Sequence, residues 1–258
     1  MLIEKQLFEV RDKVKEAIAI LKDLEPKEGY YLADSGGKDS DVILELARMS
    51  GVKFESHHNL TTIDPPDVIY HMREHHKETV IDRPKIPFLQ QLIKSGYPTR
   101  QARWCCAIYK ETGGSGRLVI TGVRGAESAK RARRKMVEFC YNGTGKRYLN
   151  IIHSWKDEDV WEFHQKYSVP YCKLYDEGWN RIGCLMCPNA GASRLTQAKR
   201  YPEYVKNFKK YFEKRYQYCV ERGLTSATRF SSGEEMFDFW LNEHKTDNED
   251  PDQTVMFE

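Results

Sequence analysis

The sequence lacks any apolar run that could cross a membrane, and it lacks the apolar segment of a secretory leader. The stretch AIAIL is short and is flanked by Lys15, Glu16 and Lys22, whereas a membrane span needs roughly 20 apolar residues. We therefore expect a cytoplasmic protein with no membrane partner. Internal repeats and low-complexity tracts are also missing, while 40% of the 258 residues are hydrophobic, which is typical of a globular chain.

A strong net charge is missing too, because the formal charge is only +3. This value alone does not indicate a nucleic acid partner. The charge is uneven, since RGAESAKRARRKM is basic and the stretch after Gly233 is mostly acidic. For Lys130, Arg133, Arg134 and Lys135, a solvated face is the simplest interpretation. A basic patch would attract an anionic substrate or a phosphate backbone equally well, so a nucleic acid partner stays open.

The odd count of seven cysteines argues against a complete set of disulfides. In a reducing compartment, cysteines favour ligation or catalysis. Two are adjacent in RWCCAIYK and two form a CxxC in RIGCLMCP: Cys105, Cys106, Cys184 and Cys187. Four thiolates complete either a 4Fe–4S cubane or a tetrahedral zinc site. Adjacent cysteines favour the cubane, because neighbouring side chains diverge and a cubane offers separate irons. Zinc and free buried thiols stay open as alternatives.

A glycine loop, SGGKDS, lies between a predicted strand and a predicted helix in YYLADSGGKDSDVILELA. It is not a Walker A motif, because Gly36 and Gly37 are adjacent. Two glycines let the backbone approach an anion, and the amides at the start of the helix point towards it. Ser35, Lys38 and Ser40 add donors. We predict a phosphate site at this loop.

Predicted strands and helices alternate along most of the chain. The predicted strands are Tyr30 to Ala33, VKFESHHN, ETVID and RLVITGV. The chain is predicted to open with a helix whose apolar residues are Leu7, Val10, Val14, Ile18 and Leu21. Three further helices are predicted, through Val42 to Ala47, around Val68 to His76, and over PFLQQLIKSG. This alternation predicts an α/β fold, in which helices flank a mostly parallel sheet and ligands bind at the carboxyl ends of the strands.

Two capping patterns and one stripe of apolar residues predict a helical C-terminal region. Ser154 and Asp157 resemble a capping box, and Ser232 and Glu235 suggest another helix, through Leu241. The apolar stripe predicts core packing at helical spacing and comprises Tyr204, Val205, Phe208, Tyr211 and Phe212. We expect one domain over 1–245 and an acidic, flexible tail over 246–258.

The histidines raise the question of a second metal site. His71 and His75 are four residues apart on a predicted helix, and His57 and His58 are adjacent. No carboxylate or cysteine visibly completes a ligand set with them. We therefore expect an exposed helix face at His71 and His75.

The motifs together resemble a known family. SGGKDS resembles the PP-loop of the adenine-nucleotide alpha-hydrolase superfamily. Within it, the chain is similar to the phosphoadenosine phosphosulfate reductase family from about Tyr30 to about Ala190. The matching segments are, in order, the loop, CCAIYK, TGVRGAESAKR, SWKDEDVWEFH, LYDEGWNRIGC and CLMCP. The resemblance implies a Rossmann-like PP-loop fold and an adenosine nucleotide as ligand, namely adenylylsulfate, its 3′-phosphorylated form or ATP, with Mg²⁺ as a further candidate.

The resemblance also implies roles for individual residues. The nucleotide's phosphate or phosphosulfate group would be bound by Ser35, Gly36, Gly37, Asp39 and Ser40. The element G-x-R-x-x-E-S-x-x-R, which lies near the nucleotide in the family, matches Gly122, Arg124, Glu127 and Arg131. Lys110 would face the substrate anion. The four cysteines resemble the set that holds a 4Fe–4S cluster in the adenylylsulfate reductase branch.

The activity implied first is the reduction of an activated sulfate to sulfite, with a thiol or a protein as donor of electrons or sulfur. Reductases of this family carry a nucleophilic cysteine in a C-terminal motif, which takes the sulfur as a thiosulfonate, but no cysteine follows Cys219 here. Cys172 is a substitute candidate, although a buried free cysteine more commonly serves packing. One alternative is an ATP-pyrophosphatase-type sulfurtransferase that inserts sulfur into DNA or tRNA. Another is a nonenzymatic nucleotide-binding module with a structural zinc.

Overall fold

A computed structural model describes residues 1–5, 10–140 and 143–242. Over these ranges the chain forms eight strands and eleven α-helices. The strands are β1 (Ile3–Lys5), β2 (Val10–Asp12), β3 (Tyr30–Ala33), β4 (Phe54–Asn59), β5 (Val80–Asp82), β6 (Leu118–Ile120), β7 (Val137–Phe139) and β8 (Arg147–Leu149). The helices are α1 (Lys13–Asp23), α2 (Lys38–Ser50), α3 (Pro66–His75), α4 (Phe88–Ser95), α5 (Trp104–Tyr109), α6 (Ala129–Ala132), α7 (Asp157–Lys166), α8 (Ser193–Arg200), α9 (Pro202–Glu221), α10 (Ser226–Arg229) and α11 (Gly233–Asn242).

The chain divides into two compact units, and each is described by itself. The first unit comprises Met1–Asn59, Pro66–Asp82 and Thr112–Ile182, and the second comprises Leu60–Pro65, Arg83–Glu111 and the chain from Gly183 onwards. The expected single domain over 1–245 stays a prediction, and the expected tail over 246–258 lies outside the described residues. Within the described ranges, no helix combines the length and the apolar character that crossing a bilayer requires.

The first unit is built on a six-stranded sheet with the strand order β5-β4-β3-β6-β8-β7. Every neighbouring pair is parallel except β7 with β8. The central strand β3 is an apolar run, and Tyr30 and Leu32 are fully buried in the core with residues of α1, α2 and α7. The predicted α/β fold with a mostly parallel sheet is therefore confirmed.

The opening helix begins later than the apolar spacing predicted. Val10 belongs to β2, which pairs antiparallel with β1, so the prediction of a helix through Val10 is wrong, and Leu7 lies outside the described residues. Asp12 ends the strand and caps α1, because its Oδ1 accepts hydrogen bonds of 3.1 Å from the amides of Val14 and Lys15.

The two predicted capping boxes have different outcomes. The helix predicted after Ser154 is confirmed as α7, but the box itself is wrong, because α7 begins at Asp157 and Asp159 accepts from the Lys156 amide at 2.7 Å. Asp159 also contacts Lys13 Nζ at 2.7 Å. The cap at Ser232 is confirmed by its 3.1 Å bond from the amide of Glu235.

The second unit is helical over the described residues, and α9 packs on α11 at its centre. The predicted apolar stripe supplies this core, since Phe208 and Phe212 are fully buried. The Phe208 and Trp240 rings stack at 5.5 Å, and the Trp240 indole donates to the carbonyl of Pro98 at 2.7 Å. The predicted helical C-terminal region is thus confirmed.

Candidate nucleotide and cysteine sites

The glycine loop lies at the point where the strand order of the first unit reverses. From β3 the chain proceeds to β4 and β5 on one side, and β6 lies on the other side of β3. The loops after β3 and β6 therefore adjoin at the carboxyl ends of the strands, which is the usual ligand position in such sheets. Gly122, after β6, approaches so closely that a Cβ there would lie 2.9 Å from the carbonyl oxygen of Asp39. Only glycine permits this approach.

The glycine loop is held in one conformation by its own hydrogen bonds. Gly36 has a φ of +67°, and a Cβ on it would lie 2.6 Å from Val68 Cγ1, so glycine is required there. The Gly36 amide donates to Asp34 Oδ1 at 2.9 Å. The Gly37 amide donates to Ser40 Oγ at 3.0 Å. Both amides are thus engaged by side chains at the loop itself, which lies at the start of α2, where a helix favours an anion.

Two further side chains, which sequence reasoning missed, fix the backbone of Lys38. The Tyr175 hydroxyl accepts from the Lys38 amide at 3.0 Å, and His164 Nε2 lies 2.9 Å from the Lys38 carbonyl oxygen. The only sequence signal for them was their place in LYDEGWNRIGC and SWKDEDVWEFH, two of the segments that carry the family resemblance.

The cations of this site are already paired with carboxylates. Arg124, which is 2% exposed, contacts Asp39 through Nε at 2.6 Å and Asp157 through Nη2 at 2.5 Å. Lys38 Nζ lies 3.1 Å from Asp39 and 3.2 Å from Asp157. Although partial burial opposes ionisation of Asp157, the charges of Lys38 and Arg124 lower its pKa. The direct contact of Arg124 with an anion stays a prediction, and the contact that the structure shows is with the carboxylate of Asp39.

The other members of the arginine element join the same network. Glu127 accepts from the Arg124 amide at 3.0 Å and pairs with Arg131, whose side chain is half-exposed. The structure therefore brings together, in the first unit, ten predicted site residues: Ser35, Gly36, Gly37, Lys38, Asp39, Ser40, Gly122, Arg124, Glu127 and Arg131.

Replacing Arg124 by alanine is expected to lower the free energy of unfolding by about 2–3 kcal/mol, because two carboxylates lose a buried charged donor. Nucleotide affinity is expected to fall as well, because Asp39 loses its position. Arg124→Lys should retain only part of the stability and part of the nucleotide affinity, since lysine lacks the planar guanidinium that contacts two carboxylates. Denaturant unfolding and calorimetry measure the two effects.

The control for this prediction is a double-mutant cycle with Asp157→Asn. If Arg124 acts through its carboxylates, the two substitutions are expected to be non-additive by about 1 kcal/mol in stability. Additive effects, or an Arg124→Ala protein of unchanged stability, would contradict the positioning role.

The cysteine site lies in the second unit. Helix α5 carries Cys105 and Cys106, and the CxxC segment carries Cys184 and Cys187. All four are half-buried, and all four line one open cavity of about 390 Å³ together with Lys110. The structure therefore gathers the four predicted ligands. It places Lys110 among them in this unit, and the expected contact of Lys110 with a substrate anion stays a prediction.

The charges around this cavity favour a thiolate at Cys106. The hydrogen bond from Cys105 lowers the pKa of Cys106, and Lys110 and Arg103 act in the same direction. The same hydrogen bond raises the pKa of Cys105. The charge of Cys184 raises the pKa of Lys110. A cation beside thiols assists their deprotonation, which metal ligation requires.

The CxxC segment has a defined backbone that sequence reasoning did not foresee. Met186 adopts a φ of +55°, in the left-handed region. Its amide donates to Gln197 Oε1 at 2.7 Å, and its carbonyl oxygen accepts from Arg194 Nε at 3.2 Å. Cys184 Sγ lies 3.4 Å from Thr61 Oγ1. These contacts hold the segment in a turn that places both cysteines on the cavity.

Cys172, the substitute nucleophile, belongs to the first unit, whereas the four predicted ligands belong to the second. It is 1% exposed and packs with Val68, Met72 and Leu174. Burial raises its pKa to about 11. This environment favours packing over nucleophilic attack.

The expectation of an exposed face at His71 and His75 is wrong for His71. His71 is buried, and its Nε2 lies 3.3 Å from Asp41 Oδ1. His75 is half-buried. A sequence signal existed, because His71 shares the apolar face of α3 with Val68 and Met72.

Comparison with known proteins identifies the family. A model of the phosphoadenosine phosphosulfate reductase domain matches residues 29–190. The chain belongs to this family. The matched range includes every residue that the sequence assigned to the two sites, from Ser35 to Cys187.

Relatives within and around the phosphoadenosine phosphosulfate reductase family are distant. An uncharacterized protein of Methanocaldococcus jannaschii is 29% identical over 221 residues, which cover 77% of this chain and 44% of that protein. Adenosine 5′-phosphosulfate reductase of Allochromatium vinosum is 33% identical over 99 residues, which cover 36% of this chain and 37% of that enzyme. The chain spans less than half the length of the curated relatives that it matches first.

A solved structure of a phosphoadenylyl-sulfate reductase agrees with the fold. The enzyme of Candida auris, in a phosphate complex, superposes with a TM-score of 0.51 at 18% identity, covering 66% of this chain and 87% of that one. This likeness supports the fold of the family.

Proposed function

We propose that the chain is an adenosine-nucleotide-binding iron–sulfur enzyme that reduces an activated sulfate, adenylylsulfate or its 3′-phosphorylated form, to sulfite. A thiol or a protein would supply the two electrons, and the adenosine nucleotide would leave. The observation that carries this proposal is the preformed glycine loop at the switch point of the sheet, in a chain of the phosphoadenosine phosphosulfate reductase family. A phosphate or phosphosulfate group would bind where the loop and the start of α2 meet.

The side chains of the loop have separate tasks in this proposal. Ser35 is exposed and offers a hydroxyl to the anion. Asp39 is held by Lys38 and Arg124, so its half-exposed carboxylate is the loop group that would reach a Mg²⁺ ion carried by the nucleotide's phosphates. Arg131 would add positive charge at the rim, because it is half-exposed and tethered by Glu127.

The four cysteines fit an iron–sulfur cluster by their donor chemistry. Cys105, Cys106, Cys184 and Cys187 would hold a 4Fe–4S cluster, which would supply electron or sulfur chemistry. The favoured thiolate at Cys106 and the ammonium of Lys110 suit a site that gathers negative charge. Zinc would use the same four thiolates, so colour and metal content distinguish the two.

A second candidate function is ATP-dependent transfer of sulfur to DNA or tRNA. It is favoured by the burial of Cys172 and Cys219, two of the three cysteines outside the proposed ligand set, because reduction through a thiosulfonate requires an accessible thiolate. In the transfer reaction ATP adenylates the acceptor and pyrophosphate leaves, and sulfur from a separate donor then displaces AMP. Neither of these thiols is therefore needed as a nucleophile.

One assay tests both candidates. Anaerobically purified protein is incubated separately with adenylylsulfate, with its 3′-phosphorylated form, and with ATP plus DNA or tRNA as acceptor. Each incubation contains a thiol reductant, and sulfite and pyrophosphate are measured. Sulfite from either activated sulfate supports the reductase, and pyrophosphate from ATP supports the transferase. If neither product forms while calorimetry detects nucleotide binding, the chain is a binding module and both enzymatic proposals fail.

A further inference from the structure

Three buried side chains of the first unit converge beneath the glycine loop. Asp41 lies in α2, His71 lies in α3, and His76 follows α3. One ligand atom from each lies within 4.8 Å of the others. None of the three belongs to the residues assigned to the nucleotide or to the cysteine site.

The two distances from Asp41 Oδ1 match those between neighbouring ligands of one metal ion. Asp41 Oδ1 lies 3.3 Å from His71 Nε2 and 3.2 Å from His76 Nε2. With metal–ligand bonds of about 2.0–2.1 Å, neighbouring ligands of a tetrahedral zinc ion are separated by roughly 3.3–3.4 Å. Two imidazoles and one carboxylate are also a donor set that borderline divalent metals accept.

The orientation of His76 fits ligation through Nε2. Its Nδ1 lies 2.6 Å from Asp34 Oδ2, and a carboxylate on the far nitrogen is the usual device that fixes a ligating histidine. Asp34 is itself held, because it accepts from Thr79 Oγ1 at 3.0 Å and from the Gly36 amide at 2.9 Å.

The second oxygen of Asp41 provides an independent observation. Asp41 is 1% exposed, and its Oδ2 has no hydrogen-bond partner among the described residues. A buried carboxylate oxygen without a partner is costly, and a cation bound beside Oδ1 would satisfy it.

We propose that Asp41, His71 and His76 bind one divalent metal ion of the zinc class, with Asp34 as the positioning residue of His76. Because Asp34 also binds the Gly36 amide, the ion would stabilise the glycine loop from below. This site shares no ligand with the cysteine cavity, and its donors are imidazole nitrogens and a carboxylate rather than thiolates. The proposal does not depend on the proposed reaction.

Cobalt titration of the full chain tests the site directly. The background variant replaces all four cysteines of the cavity by serine, because thiolates give strong sulfur-to-cobalt absorption that would mask weaker bands. Metal-depleted protein of this background is expected to bind one Co²⁺ with the weak visible bands of nitrogen and oxygen ligands, and Zn²⁺ is expected to displace it.

Matched substitutions in that background assign the ligands. His71→Ala and Asp41→Asn are expected to abolish the cobalt bands, whereas His75→Ala, four residues from His71 on the same helix, is expected to keep them. Asp34→Asn should weaken Zn²⁺ binding by about 10–100-fold, as loss of a supporting carboxylate does. Circular dichroism checks that each variant is folded.

Metal binding by the background protein itself can overturn the proposal, before any of the three proposed ligands is replaced. If the folded background protein binds neither Co²⁺ nor Zn²⁺ outside its remaining cysteines, His76 bridges Asp34 and Asp41 as a hydrogen-bonding residue only. Equal cobalt bands in His71→Ala and His75→Ala would equally exclude the assigned ligands.

Discussion

Protein purified without oxygen is expected to be brown, and replacing Cys106 or Cys187 by serine is expected to remove the colour together with most of the iron and acid-labile sulfide. Each of these cysteines lines the cavity in the second unit, and a cubane that loses one of four thiolates is no longer held. Visible absorption and analysis of iron and sulfide measure the effect.

The controls are two cysteines outside the proposed ligand set. Cys140→Ser matches the ligands in being half-buried, and Cys219→Ser replaces a buried cysteine of α9. Both variants should stay brown. Equal colour in all four variants would remove the ligand assignment, and colourless wild-type protein rich in zinc would favour the structural zinc module.

The second large effect is expected at the glycine loop, where Gly37→Val should reduce nucleotide affinity by about 100-fold or more. A Cβ on Gly37 would lie 3.2 Å from the Tyr175 hydroxyl, which is tighter than an ordinary contact. Valine must therefore displace Tyr175 from the Lys38 amide or shift the loop, and its bulk would keep the anion from the backbone. Calorimetry with the nucleotide measures the loss.

Gly183→Val is the matched control for this substitution. A Cβ there meets nothing within 4 Å, so nucleotide affinity should be unchanged. A folded Gly37→Val protein that binds nucleotide as tightly as wild type would show that the loop does not bind the phosphates.

Local sequence patterns predicted the parts of this protein that local physics decides. The alternation of apolar runs predicted β3, β4, β5 and β6 and the parallel sheet. The pair Gly36–Gly37 predicted a turn before α2 because such a backbone favours glycine, and the stripe at Phe208 and Phe212 predicted a buried helix face. The family resemblance supplied the expectation that the matched motifs form sites.

Only the tertiary structure decided how the charged and titratable groups are paired. Arg124 contacts Asp39, which is 85 residues away in the sequence, and Asp157, which is 33 residues away. His71 contacts Asp41, which is 30 residues away. No periodicity within a window encodes such pairs, because they depend on which strands become neighbours. Val10 lies in a strand rather than in the predicted helix for the same reason, because its pairing with β1 is not encoded in the local sequence pattern. Apolar spacing in the sequence thus determined the fold class, and the family resemblance supplied most of the candidate residues, whereas strand order determined which carboxylate neutralises which cation.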